Sequence, residues 1–422
     1  MNSENTNKVL VFLVFILSVG MYYFNNTPIQ LGEYILPLNN FLSMVIVCLG
    51  LFYILVHPDL IKLKMICRDG LVLLMPYLVL LFFSMMIWVY RLSPLREITR
   101  GVSSVIYQCI GLAVAVIYII VFREKAMIIQ MLSMAAAEFI VFFTEIISKV
   151  GIAGFVKEYI DLVTSFGEIK SEGFGQVEGN EVCFAFGIYL IYFLVKKGKM
   201  KHRFFYIMLT LFCLCAGFKR IVVIGAIISF LVVSLCGILP EKIGKRIIST
   251  LKYFFIIFAI CYIAIVKFGV FNSLTELLNI DTKGRSGIND FIDSYYSFSP
   301  LFIGYGLGYI ARLFESVTTL GGAVAVHNDF LRLFIEVGFW GYLIWLWIFW
   351  GYRTSYFVKN RNKQTYLMFF ALTLYCAVTY LTDNTCFYLY TNIAFFTLIL
   401  SCSLSESYEY EGLDEKMRGV SV

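Results

Sequence analysis

The sequence predicts an all-α polytopic integral membrane protein with about 12 transmembrane helices. Three observations predict it. Of 422 residues, 60% are hydrophobic and only 15% charged, where a soluble chain carries about 25% charged residues. The mean hydropathy is +0.82. Apolar runs recur at roughly 17–25 residues, the length that carries a helix across ~30 Å of hydrocarbon. One integral membrane domain, residues 1–422, is the simplest organisation.

The first apolar run, 8–24, lacks a strongly basic start and a small-x-small cleavage site. It is therefore expected to persist as a helix rather than be removed as a signal peptide. Runs at 38–56, 71–90, 103–122 and 127–147 follow, the last two separated near Arg123. A polar segment, about 148–180, then interrupts the series. Its first part sets Val156, Ile160 and Val163 against Lys157, Glu158 and Asp161, an amphipathic pattern. Its second, from Gly173 to Asn180, is glycine-rich. Runs at 181–196, 204–217, 221–238 and 250–271 come next, with Lys219 and Arg220 at one junction. The longest polar segment, about 272–332, precedes the last runs at 333–352, 366–382 and 386–404. An acidic tail, about 405–422, closes the chain and reads as solvated and cytoplasmic. Connections longer than about 12–15 residues are usually functional or disordered, and the aromatic content of the two long ones favours function.

Lysine and arginine orient the chain. With both termini cytoplasmic, most of the 34 basic residues fall inside, densest at 196–203 and 240–252. Both long segments then face outward, together with Arg91, Arg96, Arg100, Arg220 and Arg285. The net charge of +6 is thus a matter of topology, and the expected partner is the lipid bilayer, not nucleic acid. Most of the 11 cysteines lie inside apolar runs and read as small buried hydrophobes, not as a disulfide or zinc framework.

Three histidines are present. His57 and His202 fall in short inner loops, which leaves His327 as the one imidazole on the outer side. It stands at the mouth of an apolar run, where an imidazole can serve as a general base near neutral pH. The plainer reading is that Asn328 caps the helix starting at Asp329, with His327 merely preceding it. The two readings are compatible. Arg285 sits in Lys283-Gly-Arg-Ser-Gly287, a polar turn whose guanidinium fork suits phosphate oxygens. An ion pair with Asp281 or Asp290 accounts for it equally well. Arg220 lies between two apolar runs, and charge at membrane depth is costly enough to suggest a function. Gly304-Tyr-Gly306-Leu-Gly308 reads as a tight turn or as a phosphate cradle. Tyr295, Tyr296 and Phe298 suit the membrane interface better than sugar stacking. Arg332 and Glu336 are spaced to pair along a helix, and Gly338 and Gly341 suit close packing. The sequence has no HExxH, DxD or Walker pattern, so the expected chemistry needs no metal and no cofactor.

The stretch Ser299-Pro-Leu-Phe-Ile-Gly-Tyr-Gly-Leu-Gly308, followed by His327-Asn-Asp-Phe-Leu and Glu336-Val-Gly338-Phe-Trp-Gly341, resembles the signature of the O-antigen polymerase and O-antigen ligase superfamily. Ala216-Gly-Phe-Lys-Arg220 resembles the family's outer arginine segment, with Lys219 in place of its serine. Glu178-Gly-Asn180 resembles the stretch that ends its first large outer loop. The resemblance implies polymerisation of undecaprenyl-diphosphate-linked oligosaccharide repeat units into O-antigen, capsular or exopolysaccharide. The reaction would be a metal-independent, inverting glycosyl transfer at the outer face of a bacterial inner membrane. It implies His327 as catalytic base and Arg285 and Arg220 on the lipid diphosphate. Asn328, Glu336, Gly304, Gly306, Gly308 and Asn180 would support them. A chain-length regulator and a flippase are the candidate protein partners. An O-antigen ligase, differing only in acceptor, is the nearest alternative. A lipid-linked saccharide flippase is the second, though few of the seven prolines lie mid-run and no internal repeat is apparent.

Overall fold

The structure, a computed structural model, describes residues 3–24, 28–31, 34–56, 60–164, 182–196, 200–217, 219–271, 273, 285–315 and 326–417. Among them, seven helical stretches are long and apolar enough to cross a membrane: 38–56, 63–91, 95–144, 220–238, 241–267, 329–360 and 389–406. Shorter apolar helices cover Lys8–Tyr23, Val182–Val195 and Arg203–Gly217. The all-α membrane character expected from composition is therefore present. The β structure described is one antiparallel hairpin, β1 (Pro28–Leu31) with β2 (Tyr34–Pro37), in which Pro28 pairs with Pro37 and Leu31 with Tyr34. Its prolines stand at strand ends, where a missing N–H is tolerated.

The chain divides into two compact units. The first comprises residues 1–67, 110–230 and 389–422. Here α1 (Ser3–Tyr23) packs on α2 (Leu38–Val56) and on α5 (Ala126–Val141). The unit takes in the second half of α4 (Leu95–Phe122), which follows α3 (Leu60–Arg91) in the chain. A π-helical turn, Phe142–Ile147, leads from α5 into α6 (Ser148–Thr164). Next come α7 (Val182–Val195), packed on α8 (Arg203–Gly217), and the start of α9 (Arg220–Ile238). Buried tyrosines in this unit find partners for their hydroxyls, as an apolar interior requires. Tyr118 donates to Ser18 Oγ at 2.7 Å, and Tyr390 donates to the Met21 carbonyl at 2.8 Å.

The second unit comprises residues 68–109 and 231–388. It holds most of α3, the start of α4, and α10 (Glu241–Lys267). It also holds α11 (Arg285–Asp293), α12 (Tyr309–Glu315), α13 (Asp329–Leu346), α14 (Arg353–Asn360) and α15 (Lys363–Tyr380). A buried ion pair ties its ends: Arg361 reaches Asp69 at 2.7 Å, and Tyr356 donates to the same carboxylate at 2.7 Å.

The structure adds detail to three segments. The long segment 148–180 opens as helix α6, while its remainder, with Asn180, lies outside the described residues. The segment 272–332 is not all loop, since it contains α11 and α12. The acidic tail is not wholly solvated: α16 (Leu389–Met417) runs through its start, and Glu406 is buried.

Candidate functional site

The site in the second unit is organised by one glycine. Helix α13 is interrupted at Gly338, where φ is 71° and ψ is −177°. A left-handed φ costs an L-residue roughly 1–2 kcal/mol, so glycine suits this point. The break diverts backbone groups from the helix ladder to a neighbouring segment. Phe339 donates to the Phe302 carbonyl at 2.9 Å. The Glu336 carbonyl accepts from Tyr305 at 3.0 Å and from Gly306 at 2.6 Å. Residues 302–306 are thereby stitched into the gap. A Cβ on Gly338 would overlap the Ile303 carbonyl.

The three glycines of the turn are required by geometry. Gly304, Gly306 and Gly308 have φ of 89°, 94° and 89°. A side chain on Gly306 would strike the Trp88 indole, and one on Gly308 would meet the Glu97 carbonyl at 2.5 Å. The Glu336 side chain completes the turn: its Oε1 accepts from Gly308 at 3.0 Å and Ile310 at 3.3 Å. Its Oε2 lies 3.3 Å from Arg332 Nε, the pairing that the i, i+4 spacing anticipates. The glycine motif is thus a tight turn whose amides are consumed internally. As described, the Gly306 and Gly308 amides point to Glu336 and not to a ligand.

Arginines surround this turn. Arg91, the last residue of α3, donates from Nε to the Gly304 carbonyl at 2.5 Å and lies 4.1 Å from the Tyr305 ring centre. Tyr305 stacks on Tyr309 at 4.1 Å. Arg312 pairs with buried Glu97 at 3.0 Å, and Glu315 takes both Arg96, at 3.2 Å, and Arg100. The hydrogen bond from Arg100, with the Arg100 and Arg96 charges, holds the Glu315 carboxyl below the ordinary glutamate range.

His327 stands at the exposed end of α13. Its side chain is 46% exposed, and its φ of 49° lies in the left-handed region. Such conformations cluster at functional positions. Asn328 is the helix cap expected: its carbonyl oxygen accepts from Leu331 at 3.0 Å. Its amide donates to the Tyr262 hydroxyl at 2.5 Å and to the Leu381 carbonyl at 3.0 Å, which fixes the direction in which the helix starts. Buried Asp329 accepts from Cys386 N at 2.7 Å. These contacts bring the turn 381–388 against the histidine. Asp383 Oδ1 lies 3.6 Å from His327 Nδ1 and accepts from Tyr388 Oη at 2.7 Å and Asn384 N at 2.8 Å. At 3.6 Å the imidazole and carboxylate are not hydrogen-bonded. Contacts of this kind often tighten only around a bound substrate.

Glu336, Gly304, Gly306 and Gly308 therefore form one cluster, while His327 and Asn328 form another with Asp383 at the start of the same helix, roughly 12 Å away at 1.5 Å per residue. Arg285 is placed differently from its expected polar turn, as the first residue of α11. That helix forms because Ile288 and Ile292 bury one face while Phe291 packs on Phe314 of α12. The Arg285 side chain lies outside the described residues. Arg220 opens α9 in the first unit and is exposed. Tyr296 and Phe298 are packed against Phe334 rather than presented at a surface. Asp383 and Tyr388 were not anticipated. The available signal was an acid in a short polar turn, Thr382-Asp-Asn384, between two apolar runs.

No family model matches the chain, and no curated protein matches it significantly.

Proposed function

We propose that the protein polymerises undecaprenyl-diphosphate-linked oligosaccharide units into a surface polysaccharide, with twelve spans and both termini cytoplasmic. The observation that carries the reading is the exposed His327, with Asp383 facing its Nδ1, on a helix start fixed by Asn328. This arrangement leaves Nε2 for a substrate and supplies a carboxylate to orient the ring and stabilise the imidazolium, the usual partition of a base and its orienting group.

In the proposed reaction His327 removes the proton from an acceptor sugar hydroxyl. The oxygen forms a bond to the anomeric carbon of the donor glycan from the face opposite the lipid diphosphate. The bond from that carbon to the diphosphate oxygen breaks, and the diphosphate departs with its electron pair. Configuration inverts. Arg285 and Arg220 are proposed to neutralise the departing charge, as preorganised cations do at developing anions.

The test is His327→Ala with analysis of surface glycan length and lipid-linked intermediates. A polymerase variant loses long chains while single units persist. Finished polymer accumulating on lipid identifies a ligase, and units stranded on the inner leaflet identify a flippase. Unchanged glycan with a well-expressed variant refutes the catalytic assignment.

A further inference from the structure

We infer that a groove formed by α3, α13 and residues 300–303 seats the single prenyl chain of an isoprenoid diphosphate, with Arg91 holding the phosphate at its head. The inference rests on the lipid-linked substrate proposed above, for which it supplies a lipid seat.

The groove has a volume of about 310 Å³ and is lined almost wholly by apolar atoms. That volume is at the lower end of the roughly 300–1,000 Å³ of ligand pockets. Phe83, Met86 and Tyr90 supply one wall, Phe302 caps it, and Val337 and Trp340 supply the other. The first three recur at i, i+3 and i+7 on α3, a stripe of about 10 Å along the helix axis. Two features of α13 keep the space open. The Gly338 break turns the helix aside, and Gly341 lacks the Cβ that would stand 3.2 Å from Phe83. Met86, Tyr90 and Trp340 are 58%, 71% and 58% exposed, so the groove is open along its length.

Charge selects the occupant. Arg91 follows Tyr90 directly and is exposed at the end of the apolar stripe. Its neighbours Arg96 and Arg100 are paired with Glu315, Arg312 with Glu97, and Arg332 with Glu336. Among the described residues, no carboxylate lies within ion-pairing distance of Arg91. Its Nε bond to the Gly304 carbonyl and its contact with Tyr305 orient the guanidinium and leave its two terminal nitrogens for an anion. A planar fork of this kind matches phosphate oxygens. One groove accommodates one chain, which fits an isoprenoid better than a phospholipid with two acyl chains. Val337 lies about 12 Å along α13 from the helix start beside His327, at 1.5 Å per residue.

The test uses the purified full-length protein in phosphatidylcholine nanodiscs with a benzophenone-bearing prenyl diphosphate that carries no sugar. Light is expected to label peptides containing Met86 or Trp340. Arg91→Gln is expected to weaken binding about tenfold, the worth of a charge-assisted hydrogen bond. Met86→Trp, which fills the groove from an exposed position, is expected to do the same. Unchanged affinity in either variant overturns the inference. So does equal competition by phosphatidylglycerol, which would assign the groove to bulk lipid. His327→Ala is expected to bind the probe normally. If that variant also makes normal glycan, the polymerase reading falls and the lipid seat stands. If it loses glycan while the groove variants bind normally, only the seat falls.

Discussion

Gly338 and Gly269 form a matched pair of probes for how the site is held together. Both have φ of 71°. A Cβ on Gly269 meets nothing within 4 Å, whereas one on Gly338 overlaps the carbonyl of Ile303. Gly269→Ala should therefore cost only the backbone strain, roughly 1–2 kcal/mol. Gly338→Ala is strained as well, at a φ of 71° and ψ of −177° that are nearly confined to glycine, and must also push residues 302–306 out of the gap. That displaces three backbone hydrogen bonds, Phe339 to Phe302 and both Tyr305 and Gly306 to Glu336. At about 0.5–1.5 kcal/mol net for each bond, the total comes to roughly 3–6 kcal/mol. Part of this can appear as local opening rather than global unfolding. The assay is amide exchange at Tyr305 and Gly306 in the purified protein, alongside denaturation in mixed micelles. Gly338→Ala should lower protection there by about two orders of magnitude, since ~1.4 kcal/mol is tenfold. Gly269→Ala should leave it unchanged. Equal, small effects from both would refute the claim that the break at Gly338 exists to receive the loop.

Three further expectations concern the charged groups. Asp383→Asn should slow chain extension on a synthetic lipid-linked unit by about 10²-fold or more, the usual worth of a properly oriented base, while expression and melting stay unchanged; a near-normal rate removes Asp383 from the mechanism. Glu336→Gln keeps an acceptor for Gly308 and Ile310 but removes the carboxylate paired with the largely buried Arg332, and should destabilise by about 3–5 kcal/mol. Combining it with Arg332→Met should restore part of that loss, and failure to do so would mean that the pair contributes no charge compensation. Glu315 has a folded pKa depressed by the Arg100 hydrogen bond and the Arg100 and Arg96 charges. Its stabilising contribution is thus complete above the ordinary glutamate range, near pH 4.3, and is lost as pH falls through the lower folded value. Exchange protection of α12 should follow that course, and Glu315→Gln should abolish the pH dependence.

Much of the fold was legible because membrane helices announce themselves through one long-range constraint, a run of apolar residues. Each expected run falls on helix in the structure, with ends differing by several residues. The short amphipathic pieces were harder. Ile288, Phe291 and Ile292 are spaced as a helix face, but Gly284 and Gly287 made Lys283–Gly287 look like a turn, and the packing of Phe291 on Phe314 decided the matter. The hairpin at 28–37 is too short for its pattern to outweigh its flanking apolar runs.

Within the site, what depends on neighbours in sequence was readable and what depends on distant residues was not. The Asn328 cap and the Arg332–Glu336 pair follow from spacings of three and four residues. Asp383 does not, because its place beside His327 is set by the Asn328 bond to the Leu381 carbonyl and the Asp329 bond to Cys386 N. The glycines lie between these cases. Their spacing suggested a turn, but the partner that consumes their amides, Glu336, lies 28 residues on from Gly308. That partnership explains why the glycine turn and the glutamate–glycine helix belong together. The left-handed bend at Gly338 frees the Glu336 carbonyl for Tyr305 and Gly306. The captured loop then offers its Gly304 carbonyl to Arg91. The same bend opens the apolar groove below Arg91, while the helix above it carries His327. A single backbone break therefore couples the glycine turn, Arg91 and the groove, and a change at Gly338 should disturb these together.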